Sequence, residues 1–366
     1  MIVTHCSSVH PRKDSRILFK MCASLAASDY DVKLIVADGQ GAEKISNLEV
    51  IDVGKPRNRI ERILLWPDKI FTQVISLLPE IVHLHDPELI PLASRLKRMG
   101  IKVIFDSHED VALQMRSKPY MNRFLSWVIS QVYRIYETQA LKKTDAVVAA
   151  TPEIARKLRL RGIPCTLICN FPRTEIIYPT SSLNKKRIEL CYVGNLTKNR
   201  GIIELIKAIE LCKAKLSLNL CGAFESEQFE KKIRNLPGWQ KVNYWGCVRN
   251  DKIKKILNRS KIGIVTLLPK KNYLESYPIK MFEYMSAGLP VIASNFPLWK
   301  KIIQKQKVGL VCDPTKPEAI ANRIDTLLKN KKLGRHFGRN GRAAVEKKYN
   351  WKNEEKKLFR LYKSLT

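Results

Sequence analysis

The chain has 366 residues, of which 45% are hydrophobic and 27% are charged. This length suits two globular domains of about 150 residues each, and the composition excludes a disordered chain and a fibrous repeat. The 66 lysines and arginines outnumber the 34 aspartates and glutamates, so the formal net charge is +32. Such a surplus indicates an anionic partner, and the charge alone leaves nucleic acid, an acidic membrane surface and a phosphate-bearing small molecule open.

Short apolar runs alternate with amphipathic segments along the first half of the chain. The apolar runs predict strands at 32–36, 81–85, 102–106 and 146–150. The segments between them predict helices that include 17–28, 89–99 and 120–142. Because strands that alternate with helices are typical of a parallel sheet covered on both faces, we expect an α/β domain over residues 1–172.

A stretch rich in Pro, Thr, Ser and Lys at 173–186 interrupts this alternation and is predicted to be a linker. The pattern then resumes and predicts strands at 188–193, 216–221, 242–245, 262–267, 291–294 and 309–312. The helices predicted between and after these strands are 202–213, 225–235, 251–259, 279–287, 298–305 and 317–328.

The second half is therefore expected to form another α/β domain over residues 187–350. A last helix at 351–366 is expected to pack back toward the first domain. Two facing domains of this kind would bring the carboxyl ends of both sheets to a shared cleft, where open parallel sheets bind ligands.

The nine cysteines are odd in number, lie partly in apolar strand-like runs and form no Cys-x-x-Cys pair. They predict buried thiols rather than a disulfide framework or a zinc site. The first 16 residues become polar after only two apolar positions, so no signal peptide is expected. Because no apolar stretch approaches the roughly 20 residues that span a bilayer, we expect a cytoplasmic protein, at most bound to a membrane face.

A predicted helix in the second domain is flanked by helix-boundary residues. Pro278 suits its first turn and Gly288 suits its end. Glu275 therefore falls on the loop before the helix, and Glu283 falls within it.

This helix start has the chemistry of a phosphate site. A helix start offers unpaired N–H groups, so the segment from Ser276 to Ile279 is suited to a diphosphate, and Lys280 adds a positive charge. The carboxylates of Glu275 and Glu283 accept hydrogen bonds and repel phosphate, so they suit sugar hydroxyls. Taken alone, the two glutamates also fit a surface helix with ordinary acidic residues.

The Glu-Tyr-Met-Ser-Ala-Gly-Leu-Pro-Val run at 283–291, with Glu275 eight positions before it, resembles the signature of glycosyltransferase family 4. Residues 192–201, Tyr-Val-Gly-Asn-Leu-Thr-Lys-Asn-Arg-Gly, resemble the family's loop that opens the second domain. His-Leu-His-Asp-Pro-Glu at 83–88 and Phe-Asp-Ser-His-Glu-Asp at 105–110 extend the resemblance to the first domain. It covers nearly the whole chain.

The resemblance implies the GT-B fold, with two Rossmann-like parallel-sheet domains facing across a cleft. It implies a nucleotide-sugar donor, retention of the anomeric configuration, and no metal or other cofactor. Because the resemblance is to enzymes of bacterial surface-polysaccharide synthesis, it also implies a glycan or lipid-linked acceptor.

The resemblance assigns Glu283 to the ribose, Glu275 to the donor sugar and Arg200 to the diphosphate, where the family usually has a lysine. Asn195 stands where the family has an arginine, which leaves Lys198 and Lys280 as candidate replacements for that charge. The other residues implied at the donor are Gly194, Gly222, Ser276, Tyr277, Pro278 and Ile279.

In the first domain the resemblance places His108 beside the reacting sugar, although a lone histidine at a strand end is more often structural. The divergent loop at 7–16 is expected to face the donor phosphate and the acceptor. On the acceptor side we place His10, Arg12 and Lys13 of this loop, for which a solvated basic loop is an equal alternative, and Asp110.

The implied reaction needs stabilisation of the charge that grows on the departing diphosphate. His108, Glu275, Arg200 and Lys280 are the candidate catalytic residues, and the helix start adds its N–H groups. A departing phosphate that accepts the acceptor's proton removes the need for a separate base, so Asp110 and Glu109 are weak candidates for that role.

Basic residues alternate with aromatic and aliphatic ones at 55–66 and 116–134. This pattern suits an anionic membrane surface, and two ordinary helices with charged outer faces are the alternative. No nucleic-acid-binding motif accompanies the charge, so nucleic acid is not expected as a partner.

Three other functions compete with sugar transfer. A sugar-nucleotide epimerase or phosphorylase of the same architecture would tolerate much of this pattern, and so would a catalytically silent binding protein. A nicotinamide-dependent oxidoreductase would require a Gly-x-Gly-x-x-Gly turn, which residues 1–16 lack.

Overall fold

The computed structural model describes residues 1–108, 110–116, 122–174 and 188–366, which form two compact units. The first unit contains Met1–Asn170 and Lys352–Thr366, and the second contains Phe171–Trp351. Most of the predicted linker at 173–186 and the start of the helix predicted at 120–142 lie outside the described residues.

One sheet forms the centre of the first unit. Its strands within the described residues are β1 (Ile2–Cys6), β2 (Asp31–Val36), β3 (Glu43–Ile45), β4 (Leu48–Asp52), β5 (Ile81–Leu84), β6 (Lys102–Ser107), β7 (Ala146–Ala149) and β8 (Thr166–Leu167). They lie in the order β3-β4-β2-β1-β5-β6-β7-β8, and all neighbours are parallel except β3 with β4.

Helices of this unit connect the strands. They are α1 (Ala23–Ala26), which follows a π-helical turn at Ile17–Cys22, α2 (Arg59–Leu64), α3 (Trp66–Leu77), α4 (Leu92–Arg98), α5 (Val111–Arg116), α6 (Arg123–Leu141) and α7 (Pro152–Leu160). The central strands are apolar on both faces because helices cover both sides of a parallel sheet. Val82 and Leu84 of β5 accordingly pack with Cys6 and Ile35 in the core.

The second unit has a parallel sheet of its own. Its strands within the described residues are β9 (Ile188–Val193), β10 (Leu216–Cys221), β11 (Val242–Gly246), β12 (Ile262–Val265), β13 (Val291–Ser294) and β14 (Gly309–Cys312), in the order β11-β10-β9-β12-β13-β14. Its helices include α8 (Ile202–Leu211), α9 (Glu227–Arg234), α10 (Asn250–Arg259), α11 (Lys271–Leu274), α12 (Ile279–Ser286), α13 (Pro297–Gln306), α14 (Pro317–Lys329) and α15 (Lys331–Lys347).

The last helix, α16 (Trp351–Lys363), lies almost entirely in the first unit. Tyr362 is fully buried there, and its hydroxyl lies 2.8 Å from His83 Nδ1. Glu354 accepts a hydrogen bond from the backbone N–H of Cys169 at 2.8 Å. Among the described residues, no helix is both long enough and apolar enough to cross a bilayer.

Both sheets reverse their strand order at one place, between β1 and β5 in the first unit and between β9 and β12 in the second. At such a point the connections leave in opposite directions, and the carboxyl ends of the two strands border a crevice that suits ligands. The predicted site residues follow these strands and their neighbours.

Candidate functional site

In the first unit the loop after β1 folds around the carboxylate of Asp86. Oδ2 of Asp86 accepts hydrogen bonds from the Ser7 hydroxyl at 2.7 Å and from the backbone N–H groups of Ser8 at 2.7 Å and Val9 at 3.2 Å. His10 Nδ1 lies 3.0 Å from the other oxygen. Burial raises the pKa of Asp86, but the hydrogen bonds and charge of its neighbours lower it to about 2. These N–H groups are therefore committed to a carboxylate, which differs from the expectation that the loop faces a donor phosphate.

His108 follows β6 and contacts a second buried carboxylate. Its Nε2 lies 3.0 Å from Asp106 Oδ2. Arg16 donates to both oxygens of Asp106, from Nε at 2.9 Å and from Nη2 at 2.8 Å. Burial raises the pKa of Asp106, but the charges of Arg16 and His108 hold it well below its usual range. In a neutral His108, the ionised carboxylate favours the proton on Nε2 and leaves the lone pair on Nδ1.

A chain of buried imidazoles extends from His108 into the unit. His85 Nδ1 lies 3.1 Å from His108 Nε2, and His85 Nε2 lies 2.9 Å from His5 Nδ1. The Tyr362 hydroxyl lies 3.2 Å from His5 Nε2 and also contacts His83. Burial lowers the pKa of His5, His83 and His85, that of His85 to about 4, so these rings are neutral at pH 7.

The ring of His85 stacks on those of His5 and His83, with interplanar angles of 18° and 12°, and the rings of His5 and His83 are tilted by 31°. A metal ion must lie near the plane of each imidazole that binds it, which nearly parallel stacked rings do not allow. This trio therefore packs and hydrogen-bonds but does not form a metal centre.

Sequence reasoning assigned no role to Asp86, Asp106 or Arg16. A local signal existed for Asp106, because Asp106 and His108 are two positions apart at a strand end and so project to the same side. Arg16 offered no such signal, since its partner Asp106 lies 90 residues away.

Arg12 was predicted on the acceptor side, and the structure corrects this. Its guanidinium donates to Asp38 through Nε at 2.8 Å and Nη2 at 2.6 Å, to the Gly41 carbonyl at 2.8 Å and to Glu43 at 3.2 Å. Only 4% of Arg12 is exposed. A buried guanidinium with two carboxylate partners is committed to holding β3 and the loop after β2, and it is not available to a ligand.

Two other residues predicted on the acceptor side also have protein partners. Lys13 is exposed, and its Nζ lies 3.5 Å from Glu43. Asp110 accepts hydrogen bonds from the backbone N–H of Leu113 and from Lys157 Nζ, both at 2.9 Å, and so caps α5. Within this predicted group, His10 lies close to His108, with ring centroids 4.9 Å apart. Glu109 lies outside the described residues.

In the second unit α12 begins at Ile279, and Pro278 precedes its first turn rather than lying within it. The approach to the helix is anchored at Ser276, whose carbonyl accepts a hydrogen bond at 2.8 Å from the buried indole of Trp299. The Tyr284 hydroxyl accepts a hydrogen bond from the backbone N–H of Val193 at 3.0 Å. This bond ties α12 to the end of β9.

Lys280 and Glu283 form an ion pair on the first turn of α12, with 2.7 Å between Nζ and Oε2. Their side chains are 30% and 21% exposed, so both remain accessible to a ligand. Burial raises the pKa of Cys221 to about 11, and the charges of Lys252 and Lys280 oppose that shift. Glu275 follows α11 and is half-buried.

The loops after β9 and β10 approach each other through glycines. A Cβ on Gly222 would lie 1.9 Å from the carbonyl oxygen of Gly194. The loop after β9 also approaches the end of β12, where a Cβ on Gly201 would lie 2.1 Å from the carbonyl oxygen of Thr266. Nη1 of Arg200 lies 3.1 Å from where a Cβ on Gly194 would be. Absent side chains therefore leave room for the guanidinium at the loop.

The Tyr192 hydroxyl lies in the same region as Arg200, since it would be 3.6 Å from a Cβ on Gly194. Burial raises the pKa of Tyr192 to about 12, whereas the charge of Arg200 and its hydrogen bond to the phenol lower it. Asn195 and Lys198 are exposed on the same loop. The structure therefore groups Gly194, Arg200 and Gly222 at the carboxyl end of this sheet.

Of the remaining predicted donor residues, Ile279 is half-buried and Pro278 is buried. Tyr277 is half-buried, and its ring packs against Phe171 and Phe282 at centroid distances of 5.7 Å.

Two family models match adjoining parts of the chain. The model described as Glycosyltransferase Family 4 matches residues 15–175, and the model described as Glycosyl transferases group 1 matches residues 174–344. Together they match residues 15–344, which includes most of both units.

Curated relatives are similar at lower identity. An uncharacterised glycosyltransferase of Methanocaldococcus jannaschii is 28% identical over 62% of this chain and 58% of its own length. The N-acetyl-alpha-D-glucosaminyl L-malate synthase of Bacillus anthracis is 22% identical over 74% of this chain and 71% of its own. For three of the relatives the match spans only 46% to 58% of their length.

Solved structures resemble the whole chain. Sucrose-phosphate synthase from Thermosynechococcus elongatus has a TM-score of 0.80 at 18% identity, covering 100% of this chain and 98% of its own. Anabaena HepE in complex with UDP-glucose has a TM-score of 0.75 at 13% identity, covering 100% of both chains. These likenesses show that the chain shares their fold.

Proposed function

We propose, since the chain belongs to glycosyltransferase family 4, that it is a retaining glycosyltransferase. It moves a sugar, of the hexosyl type, from a nucleotide-sugar donor to a glycan or lipid-linked acceptor. The observation that carries this proposal lies in the second unit, where Arg200 sits beside Gly194 and the Lys280–Glu283 pair lies on the first turn of α12. The HepE structures, which are complexes with UDP-glucose, with UDP, and with UDP and glucose, support the class of donor.

The donor's diphosphate binds Arg200, Lys280 and the N–H groups at the start of α12. Arg200 is half-buried beside Gly194, so we expect little side-chain freedom to be lost when it binds phosphate. Donor binding exchanges the Lys280–Glu283 pair for two new contacts, because Lys280 turns to the phosphate while Glu283 accepts hydrogen bonds from the ribose. Glu275 binds the donor sugar.

As the bond to the anomeric carbon breaks, negative charge grows on the departing phosphate oxygen. The cations and helix N–H groups that bind the ground state face this charge and stabilise it. These groups carry the role that a metal would otherwise have, so the reaction needs no metal cofactor. His108 presents Nδ1 or its backbone carbonyl to the sugar, and the Asp106 bond fixes its orientation.

Release of nucleoside diphosphate from a panel of nucleotide sugars, with a lipid-linked acceptor supplied, tests the activity. We expect one donor to be turned over, and the product's anomeric configuration, read by NMR, to match that of the donor. Arg200→Ala should lower turnover at least about 100-fold by removing a charge-stabilising donor, whereas Arg249→Ala on an exposed residue should not. If no nucleotide sugar of the panel releases nucleoside diphosphate, a catalytically silent binding protein is favoured. A product with inverted anomeric configuration would exclude retention.

We also propose that the enzyme works on the cytoplasmic face of an anionic membrane, which it contacts through α2 and α6. The inner face of α6 is polar, with Ser126, Ser130 and Glu137 buried. Its outer face is apolar, with Val132 62% and Ile135 65% exposed. A helix with this reversed polarity needs an apolar environment outside the unit.

The α2 helix has the same character. Ile60 is 70% exposed and Leu64 is 66% exposed, and exposed Arg57 and Arg59 lie beside them. Cationic side chains next to exposed apolar ones suit the headgroup region of an acidic bilayer.

Sedimentation with phosphatidylserine vesicles tests this contact. We expect retention at low salt, release at high salt, and loss of retention in a Val132→Ser, Ile135→Ser double variant. Leu160→Ser is the matched control, because Leu160 is 73% exposed on α7 of the same unit. Equal retention of the parent and the double variant would contradict this surface.

A further inference from the structure

Three potential metal-ligand atoms in the first unit form a nearly equilateral triangle. His85 Nδ1, His108 Nε2 and Asp106 Oδ2 are separated by 3.1 Å, 3.0 Å and 3.4 Å. Ligand atoms bound to a tetrahedral zinc ion at about 2.0–2.1 Å lie about 3.3 Å from one another. The planes of the two rings are 86° apart, so both can direct a lone pair at one point between them.

The groups behind this triangle are those that a zinc site requires. A ligating histidine usually forms a hydrogen bond through its other nitrogen, and His85 Nε2 has such a partner in His5 Nδ1 at 2.9 Å. Asp106 is held by Arg16, which occupies one lone pair of Oδ2 and leaves another for an ion. The side chain of His108 is 14% exposed, whereas those of Asp106 and His85 are fully buried. The open position therefore lies on the side of His108.

We propose that His85, Asp106 and His108 bind a Zn²⁺ ion and that the bound ion inhibits sugar transfer. Binding displaces the proton on His108 Nε2 to solvent and places zinc between this nitrogen and Asp106 Oδ2. The charge of Arg16 beside the ion keeps the affinity moderate, so that zinc is a reversible inhibitor rather than a resident cofactor. The inhibitory part rests on the proposed role of His108 beside the reacting sugar, whereas the binding part does not.

The binding test uses the full chain with Cys165→Ser and Cys247→Ser, because these two cysteines are not buried and their thiols would bind zinc. Co²⁺ absorption in the visible region reports the coordination, and competition with a coloured chelator gives the Kd for Zn²⁺. We expect the Kd to rise at least about tenfold in His85→Gln and in His108→Gln. His336→Gln, on an exposed histidine of α15, should leave it unchanged.

The inhibition test uses EDTA-treated protein and measures nucleoside diphosphate release as Zn²⁺ is added. We expect the parent to lose activity in proportion to zinc occupancy, and His85→Gln to keep its own metal-free rate at the same zinc concentration. If the parent, His85→Gln and His108→Gln bind Zn²⁺ equally, the proposed site is overturned, and the three atoms share only a proton. If zinc binds but release is unchanged, the inhibition is overturned.

These results are distinguishable from failure of the proposed function. A protein that shows the Co²⁺ spectrum but releases no nucleoside diphosphate in EDTA would support the zinc site and contradict the transferase activity. Because His108 is partly exposed, the His108→Gln variant keeps the binding test decisive even where the buried His85→Gln variant does not fold.

Discussion

Gly222 and Gly194 approach so closely that a Cβ on Gly222 would lie 1.9 Å from the carbonyl oxygen of Gly194. The φ angle of Gly222 is +141°, which residues with a Cβ rarely adopt. The two loops that border the proposed diphosphate site therefore depend on the absence of a side chain at this position.

We expect Gly222→Ala to destabilise the second unit by about 3 kcal/mol and to weaken donor binding, because the loop must move away from Arg200. Gly246→Ala is the control, since Gly246 also has a positive φ of +63° but a Cβ there meets nothing nearer than 4.0 Å. That variant should lose only about 1–2 kcal/mol. Urea unfolding measures both, and equal losses would show that the close approach is unimportant.

Glu283→Gln tests the ribose contact. The amide keeps the shape of the side chain but loses the charge, so we expect the nucleotide sugar that is turned over to bind about 10–100-fold more weakly. Isothermal titration calorimetry measures the change. Glu230→Gln is the matched control, since Glu230 also pairs with a cation one helical turn away, Arg234, but lies on α9. Unchanged donor affinity in Glu283→Gln would remove the glutamate from the site.

Asp106→Asn tests the buried ion pair with Arg16. Because the variant leaves the guanidinium buried without a compensating charge, we expect a loss of about 3–5 kcal/mol in the free energy of unfolding. Denaturant unfolding in EDTA is the measurement, with Asp251→Asn as the control because the side chain of Asp251 is 69% exposed. A loss below about 1 kcal/mol would mean that the pair adds little to stability.

The Arg12–Asp38 pair predicts a pH dependence of stability. The hydrogen bond from Arg12 lowers the pKa of Asp38 in the folded chain, despite partial burial. The stability it adds is therefore present above the unfolded pKa of about 3.9 and is lost as the pH falls through the lower folded value.

We expect Asp38→Asn to cost about 1–2 kcal/mol at pH 7 and clearly less at pH 2.5, which lies below the unfolded pKa of about 3.9, so that part of the stabilisation is already lost. Chemical denaturation at the two pH values measures this difference. A penalty that stays constant with pH would show that the charge of Asp38 is not what Arg12 stabilises.

Much of the fold was predictable, because strands of parallel sheets are buried on both faces and appear as continuous apolar runs. The predicted GT-B fold and the assignment to glycosyltransferase family 4 are confirmed. The edge strand β3 and its neighbour β4 were not predicted, since Glu43, Lys44 and Glu49 interrupt their apolar pattern and the two strands pair antiparallel at the sheet's border.

The candidate donor site could be predicted from the sequence where its residues are neighbours in the chain. Pro278, Lys280 and Glu283 lie within two turns of one helix start, so the helical repeat places them together. Their roles at a donor remain predictions. The positions of Arg200 and of the Tyr192 hydroxyl beside Gly194 required the folded loop.

The sequence by itself determined most of the alternation of strands and helices, the class of fold, the family and the helix start that is proposed to bind a diphosphate, because these follow from periodicity and local motifs. The tertiary structure alone decided which cationic side chains pair with carboxylates of the protein itself. Arg12 and Arg16 are four positions apart in one basic loop, yet their carboxylate partners lie 26 and 90 residues away. Which carboxylate a buried cation meets depends on which strands become neighbours, and only the assembled sheet brings them into contact.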